Sequence, residues 1–308
     1  MRCRNAWERR SGPNGGTIIG GVPLSRVRPL GDQRTTEAAA RQVGGGAAEI
    51  TAEVVYAKWA EMAPLIDTLQ RRIADPSDFT VPPGSDLAED DRASSPYQLS
   101  HAVKQCLNVA VDHLHTVKTV VVDVGYLHTF SPFSLARGAL ESAAAGYWML
   151  TPDNCQDRVL RALRVQSQNA RDQHKVVELN QPRSLDEHLA RIAGPAVRMG
   201  LDPATAGEHF SVTEVVTEVG ERTNMSIRFE WQMCSGFAHG RQWATFGALD
   251  RETFATDEPG VHLGRLANND SAALLPNLDA LHLIGKLLRL WRWRAGLESA
   301  DPRGLADE

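Results

Sequence analysis

The chain has 308 residues, 33 Lys and Arg against 38 Asp and Glu for a net charge of -5, 42% hydrophobic residues and a mean hydropathy of -0.30. This is a globular composition, long enough for one large or two small cores, and no uncharged apolar run approaches the ~18 residues of a transmembrane helix. The start, MRCRNAWERRSGPNGG, carries charge without the apolar stretch of a secretory signal, so the expected location is the cytoplasm. Cys3, Cys106, Cys155 and Cys234 are scattered with no C-x-x-C, so neither a zinc knuckle nor a secreted disulfide framework is indicated, and they read as small buried hydrophobes. No metal site and no cofactor are expected.

Residues 1–46 hold eight Arg against three acidic residues and nine of the 25 glycines, leaving 25 basic against 35 acidic residues on the remainder. They read as a disordered, basic, Gly-rich arm or an over-extended start of the reading frame, outside the folded part. Apolar spacing of three and four from Ile50 to Ile73 predicts a first helix over 48–74. Residues 75–92, with six acids, one base and three prolines, read as a solvated acidic loop. A second helix is expected over 97–121, weakened at Val120-Val121-Val122, followed by a connector to Phe130. Ser131-Pro132 then opens an apolar helix over 132–150, stopped by Thr151-Pro152. Further helices are expected over 153–180, 185–199, 212–220 and 226–239, the second and third of these begun by Ser184 with Glu187 and Ser211 with Glu214 as capping boxes. Gly240 suits a left-handed helix end, residues 243–266 read as a small β-hairpin, and a basic amphipathic helix over 271–296 closes the chain. The fold class is all-α: a single multi-helix bundle over 47–299, with 300–308 as a flexible tail.

The helix around residue 140 is apolar on nearly every side, so its polar groups need an explanation. Ser134, Arg137 and Glu141 form one stripe at i, i+3 and i+7, with Gly138 and Ala145 leaving room beside them. An Arg and a Glu in such a helix must be paired, either as a structural ion pair or as part of a site. On the 226–239 helix, Arg228, Gln232, Ser235 and His239 likewise fall on one face, ended by Gly240 and Arg241. Arg137, Glu141, Arg228, Ser235, His239 and Arg241 are therefore the candidate lining of an interhelical polar pocket. A capping role for His239 at the helix end is equally consistent with its position. His113 and His115, two apart on a helix, point to different faces and are not ligands of one metal.

The helix SLARGALESAA paired with a later helix ending CSGFAHGR resembles a group of uncharacterised bacterial all-helical proteins related to the HEPN (higher eukaryotes and prokaryotes nucleotide-binding) bundles. The matching positions are Arg137 and Glu141 in an R-x-x-x-E pair, and Ser235, His239 and Gly240 at the end of the later helix; the likeness spans about residues 97–296. It implies a helical bundle and no established activity. HEPN ribonucleases carry R-x(4–6)-H; the one match, Arg183 to His188, lies outside the helix that ends at His239 and gives that activity no support.

Two expectations of different class follow. One is a non-enzymatic binding or regulatory module for a small anionic ligand, a nucleotide or a partner protein. The other is a HEPN-like ribonuclease, or a toxin or phage-defence component, using Arg and His. The acidity beyond residue 46 speaks against a broad nucleic-acid platform, and the basic last helix reads as a bundle cover rather than a membrane-surface helix.

Overall fold

The computed structural model describes residues 51–176, 184–255 and 262–304. The expected arm 1–46, the stretch 177–180, the hairpin turn Asp257–Gly260 and residues 305–308 lie outside the described residues. The described chain is an all-α bundle with one small antiparallel hairpin: α1 (Ala52–Ala74), α2 (Asp86–Ser94), α3 (Leu99–Lys118), α4 (Ser131–Leu150), α5 (Cys155–Val176), α6 (Leu185–Arg198), α7 (Pro203–Ala206), α8 (Val212–Thr223), α9 (Ile227–Ala238), α10 (Gln242–Ala248), β1 (Asp250–Ala255), β2 (His262–Ala267) and α11 (Asp270–Arg294). No helix among the described residues is long and apolar enough to cross a membrane.

The near-complete apolar circumference of α4 has the consequence expected of it. This helix lies at the centre, packed by α3, α11, α9, α8 and α5, and buries Phe133, Ala136, Ala139, Leu140, Ala143 and Ala144 completely or nearly so. Small residues let neighbours close in: a Cβ on Gly146 would stand 2.8 Å from a methyl of Leu287 on α11. A smaller apolar cluster, built from Val159, Leu163, Ala170, Ile192, Ala196 and Ala206, joins α5, α6 and α7.

Four expectations need correction. Residues 75–92 are not one solvated loop: Phe79, in a 3-10 turn, packs edge-on against Trp291, and α2 begins at Asp86 with Ser85 accepting from the Ala88 amide. The prolines end at Pro83, so nothing prevents a helix after Ser85, and Leu87, Asp90 and Ser94 share its buried face. Residues 243–248 are helical, and the hairpin pairs Asp250–Ala255 with His262–Ala267, so Phe246 and Ala248 belong to α10 rather than to a strand. The described part of the tail, up to residue 304, is fastened at Arg303, which donates to the Thr151 carbonyl at 2.8 Å and pairs with Asp301 and Asp153. Cys234 is buried as expected, whereas Cys106 and Cys155 are half-buried.

The caps follow the sequence in part. Ser184 and Glu187 form the complete reciprocal box, while Ser211 accepts from the Glu214 amide without the return bond. Ser131 is itself the first residue of α4 and makes no side-chain cap, with Pro132 in the first turn. Gly240 takes the left-handed conformation at φ 62°, allowing the Arg241 amide to reach back to the Gly236 carbonyl at 2.8 Å.

Candidate functional site

Of the six candidate residues, the structure pairs two. Arg137 donates to Glu141 Oε1 at 2.7 Å along α4, and the indole N–H of Trp231 on α9 donates to the same oxygen at 2.7 Å. The pair thus reaches α9, but it is half-buried rather than enclosed: the two side chains are 30% and 23% exposed. The Arg137 Nε is shielded and has no partner. On its other flank the ring of His113 lies against Gly138, where a Cβ would be 2.5 Å from the ring.

The other four candidates do not join this pair. Arg228, Gln232 and His239 are exposed and Ser235 is half-buried, so the polar stripe of α9 runs along its solvent side, with exposed Arg241 just beyond. Helix periodicity places the four stripe positions on one face correctly, but it does not say which face the bundle covers. That is decided by Ile227, Cys234 and Phe237, whose burial turns α9 inward; Phe237 stacks on Phe133 of α4 with ring centroids 3.8 Å apart. The interhelical pocket expected from the sequence is therefore not assembled from these six residues. Of two shallow hollows, one of about 270 Å³ beside α8 and α9 includes a single candidate, Arg228, together with Thr217, Glu221 and Asn224, and one of about 250 Å³, lined by Tyr56, Trp59, Val121 and Val122, includes none.

The inward side of α9 carries groups that the sequence reading passed over. Glu230 lies one turn before Cys234, toward Asp279 of α11; burial, reinforced by the Asp279 charge, pushes its carboxyl up to about 7. Burial raises the Asp279 carboxyl as well, against the opposing pull of His282. The Cys234 thiol is raised by burial first and by Glu230 second. An isolated glutamate in a hydrophobic stretch was the available signal, but a partner 49 positions away gives no local pattern.

At its outer side the α9–α10 corner is built by close approach. A Cβ on Gly236 would fall 2.5 Å from the Ala244 Cβ and 2.8 Å from the Trp243 ring, so only glycine lets α10 fold back against α9. This holds Trp243 against the corner while leaving it 57% exposed, with Phe246 and Phe229 also exposed. Arg251 of β1 lies over the Phe246 ring at 5.4 Å. Strand alternation puts Glu252, Phe254, Leu263 and Arg265 on the opposite face of the hairpin, where Arg265 approaches Glu252 at 3.5 Å and Phe254 and Leu263 are exposed.

A second polar centre, at the C-terminal end of α4, is fully satisfied. Here Arg161 donates to the Trp148 carbonyl, Arg294 to Leu150 and Pro152, Arg303 to Thr151, and Arg158 to Pro152 and Asp153. A helix end leaves carbonyls unbonded at its negative pole, and guanidinium groups answer both needs. Arg158 is also bidentate to Asp90, at 2.7 and 2.9 Å, with side chains 3% and 0% exposed. Arg161 stacks on Trp148 and shares Glu218 with Trp148 and Arg222; burial pushes the Glu218 carboxyl up, but these three donors outweigh it and hold it below the usual range. Every charge at this end is committed to structure.

No protein-family model, curated protein or solved structure matches the chain. Among the described residues, no group of three or more His, Cys, Asp or Glu is placed to hold a metal ion.

Proposed function

We propose that this chain is a binding module that docks an acidic, apolar-anchored segment of a partner protein on the outer face of α9 and α10. The observation that carries this reading is the conjunction of exposed Arg and His side chains with exposed aromatics there. Arg228, His239 and Arg241 make no side-chain hydrogen bond or ion pair with another described residue, and Trp243, Phe246 and Phe229 are exposed on the same two helices. Arg228 and His239 are on one face about 16 Å apart, a span that suits an extended peptide rather than a single small anion. Guanidinium groups with free donors favour carboxylates, and a rigid half-exposed Trp offers an anchor of the kind that dominates interfaces. A phosphodiester-cleaving site is less well supported, because Arg137 is neutralised by Glu141 and neither hollow contains His239.

Selection of a displayed random-peptide library on the full chain tests the proposal. Asp- and Glu-rich sequences with an aromatic or aliphatic anchor should be enriched, and the Arg228→Glu/Arg241→Glu double variant should lose them. Enrichment of neutral or basic sequences, or none, would overturn it. So would cleavage of RNA by the purified chain that His239→Ala abolishes, which would favour the nuclease instead.

A further inference from the structure

The geometry points to a transition-metal site between α5 and α6, formed by His174 and His188 and independent of the α9–α10 surface. The two rings, 14 positions apart in sequence, stand with centroids 5.9 Å apart and planes inclined by 55°. Both residues are half-buried, and His174 Nε2 is shielded from solvent without a hydrogen-bond partner. A buried imidazole nitrogen left unpaired is an exception that calls for an ion or a water. Metal–nitrogen bonds of about 2.0–2.1 Å place a ring centre roughly 3.2 Å from the ion, so two imidazoles on one ion have centroids about 5 Å apart at the tetrahedral angle and about 6.3 Å apart when opposed. The observed separation falls inside that interval. A metal takes one nitrogen from each ring, so a protein partner on the other nitrogen is compatible with ligation.

The chemistry restricts the ion. Two imidazoles with no third protein ligand among the described residues favour Zn²⁺, Ni²⁺ or Cu²⁺ over Mg²⁺ or Ca²⁺, with water completing the shell. The ion would clip α5 to α6 across the smaller apolar cluster, where Ile192 and Ala170 are already buried. Such a clip binds the folded state alone and raises its apparent stability by mass action.

Titration calorimetry of the tag-free, chelator-stripped full chain with ZnCl₂ and NiCl₂ tests this, with MgCl₂ as control and thermal unfolding as a second readout. The expected result is one ion per chain, a Tm that climbs with metal concentration, and no response to Mg²⁺. His174→Ala and His188→Gln should each weaken binding at least tenfold, whereas His239→Ala should leave it unchanged. Should His174→Ala fail to fold, His188→Gln and the visible spectrum of the Co²⁺-substituted chain carry the same decision. Affinity unaffected by loss of either histidine, or no binding up to about 1 mM metal, would overturn the assignment and leave the pair as a packing contact.

Discussion

The buried pair of Asp90 on α2 and Arg158 on α5 offers the sharpest test of how this bundle is held together. Replacing Asp90 with Ala strands a guanidinium that is 3% exposed. Breaking one side of a buried pair costs about 3–5 kcal/mol, a large share of a typical stability of roughly 5–15 kcal/mol. At about 2–4 °C per kcal/mol for a chain of this class, Tm should fall by about 6–20 °C. The double variant Asp90→Leu/Arg158→Met separates two ideas. If the pair were merely two charges neutralising each other, an apolar replacement would restore or exceed parental stability. Here Arg158 also bonds the carbonyls of Pro152 and Asp153, at 3.0 and 2.7 Å, and the apolar pair would leave both with one donor fewer. At about 0.5–1.5 kcal/mol per lost bond, the double variant should recover most of the single-variant loss yet remain about 1–3 kcal/mol below the parent. Urea unfolding followed by circular dichroism, with thermal unfolding in parallel, measures both. An Asp90→Ala variant within 1 kcal/mol of the parent, or a double variant more stable than the parent, would refute the argument that Arg158 links α2, α5 and the end of α4.

Glu230 sets a pH dependence of definite sign. Its folded-state pKa of about 7 lies above the ordinary value of 4.5, so its stabilising contribution is complete below the ordinary value and is lost as pH rises through 7. The ceiling is about 3 kcal/mol, reduced to about 1–2 kcal/mol by partial solvent access. Glu230→Gln should therefore gain stability over the parent at pH 8 but not at pH 4; an equal difference at both would dismiss the effect. Glu141→Ala, which removes the acceptor of Arg137 and Trp231, should cost about 1–2 kcal/mol rather than the 3–5 kcal/mol of an enclosed pair, because both side chains retain solvent. Double-mutant cycles with Trp231→Phe check that coupling. Gly236→Val should displace α10 from α9, seen as a shift in Trp243 emission against a Trp243→Phe reference, whereas Gly247→Ala, with open space at its Cβ, should not.

By itself the sequence determined the helical class, most helix positions, the complete Ser184–Glu187 cap, the left-handed Gly240 and the pairing of Arg137 with Glu141. These are local properties: periodicity, capping chemistry and i, i+4 reach act within a few residues. Tertiary structure alone decided which face of α9 turns inward. The stripe Arg228–Gln232–Ser235–His239 was legible as a stripe, but its exposure follows from Phe237 stacking on Phe133, a contact across 104 positions. The same holds for α2. Its Asp90 reads as one of six acids in a proline-containing stretch until Arg158, 68 residues later, closes on it. Neither the carboxyls of Glu230 and Asp279 nor the rings of His174 and His188 share any local pattern; each pair exists only because separate helices pack. Charge and aromatic character are written in the chain, but burial, pairing and pKa depend on what the fold places opposite them.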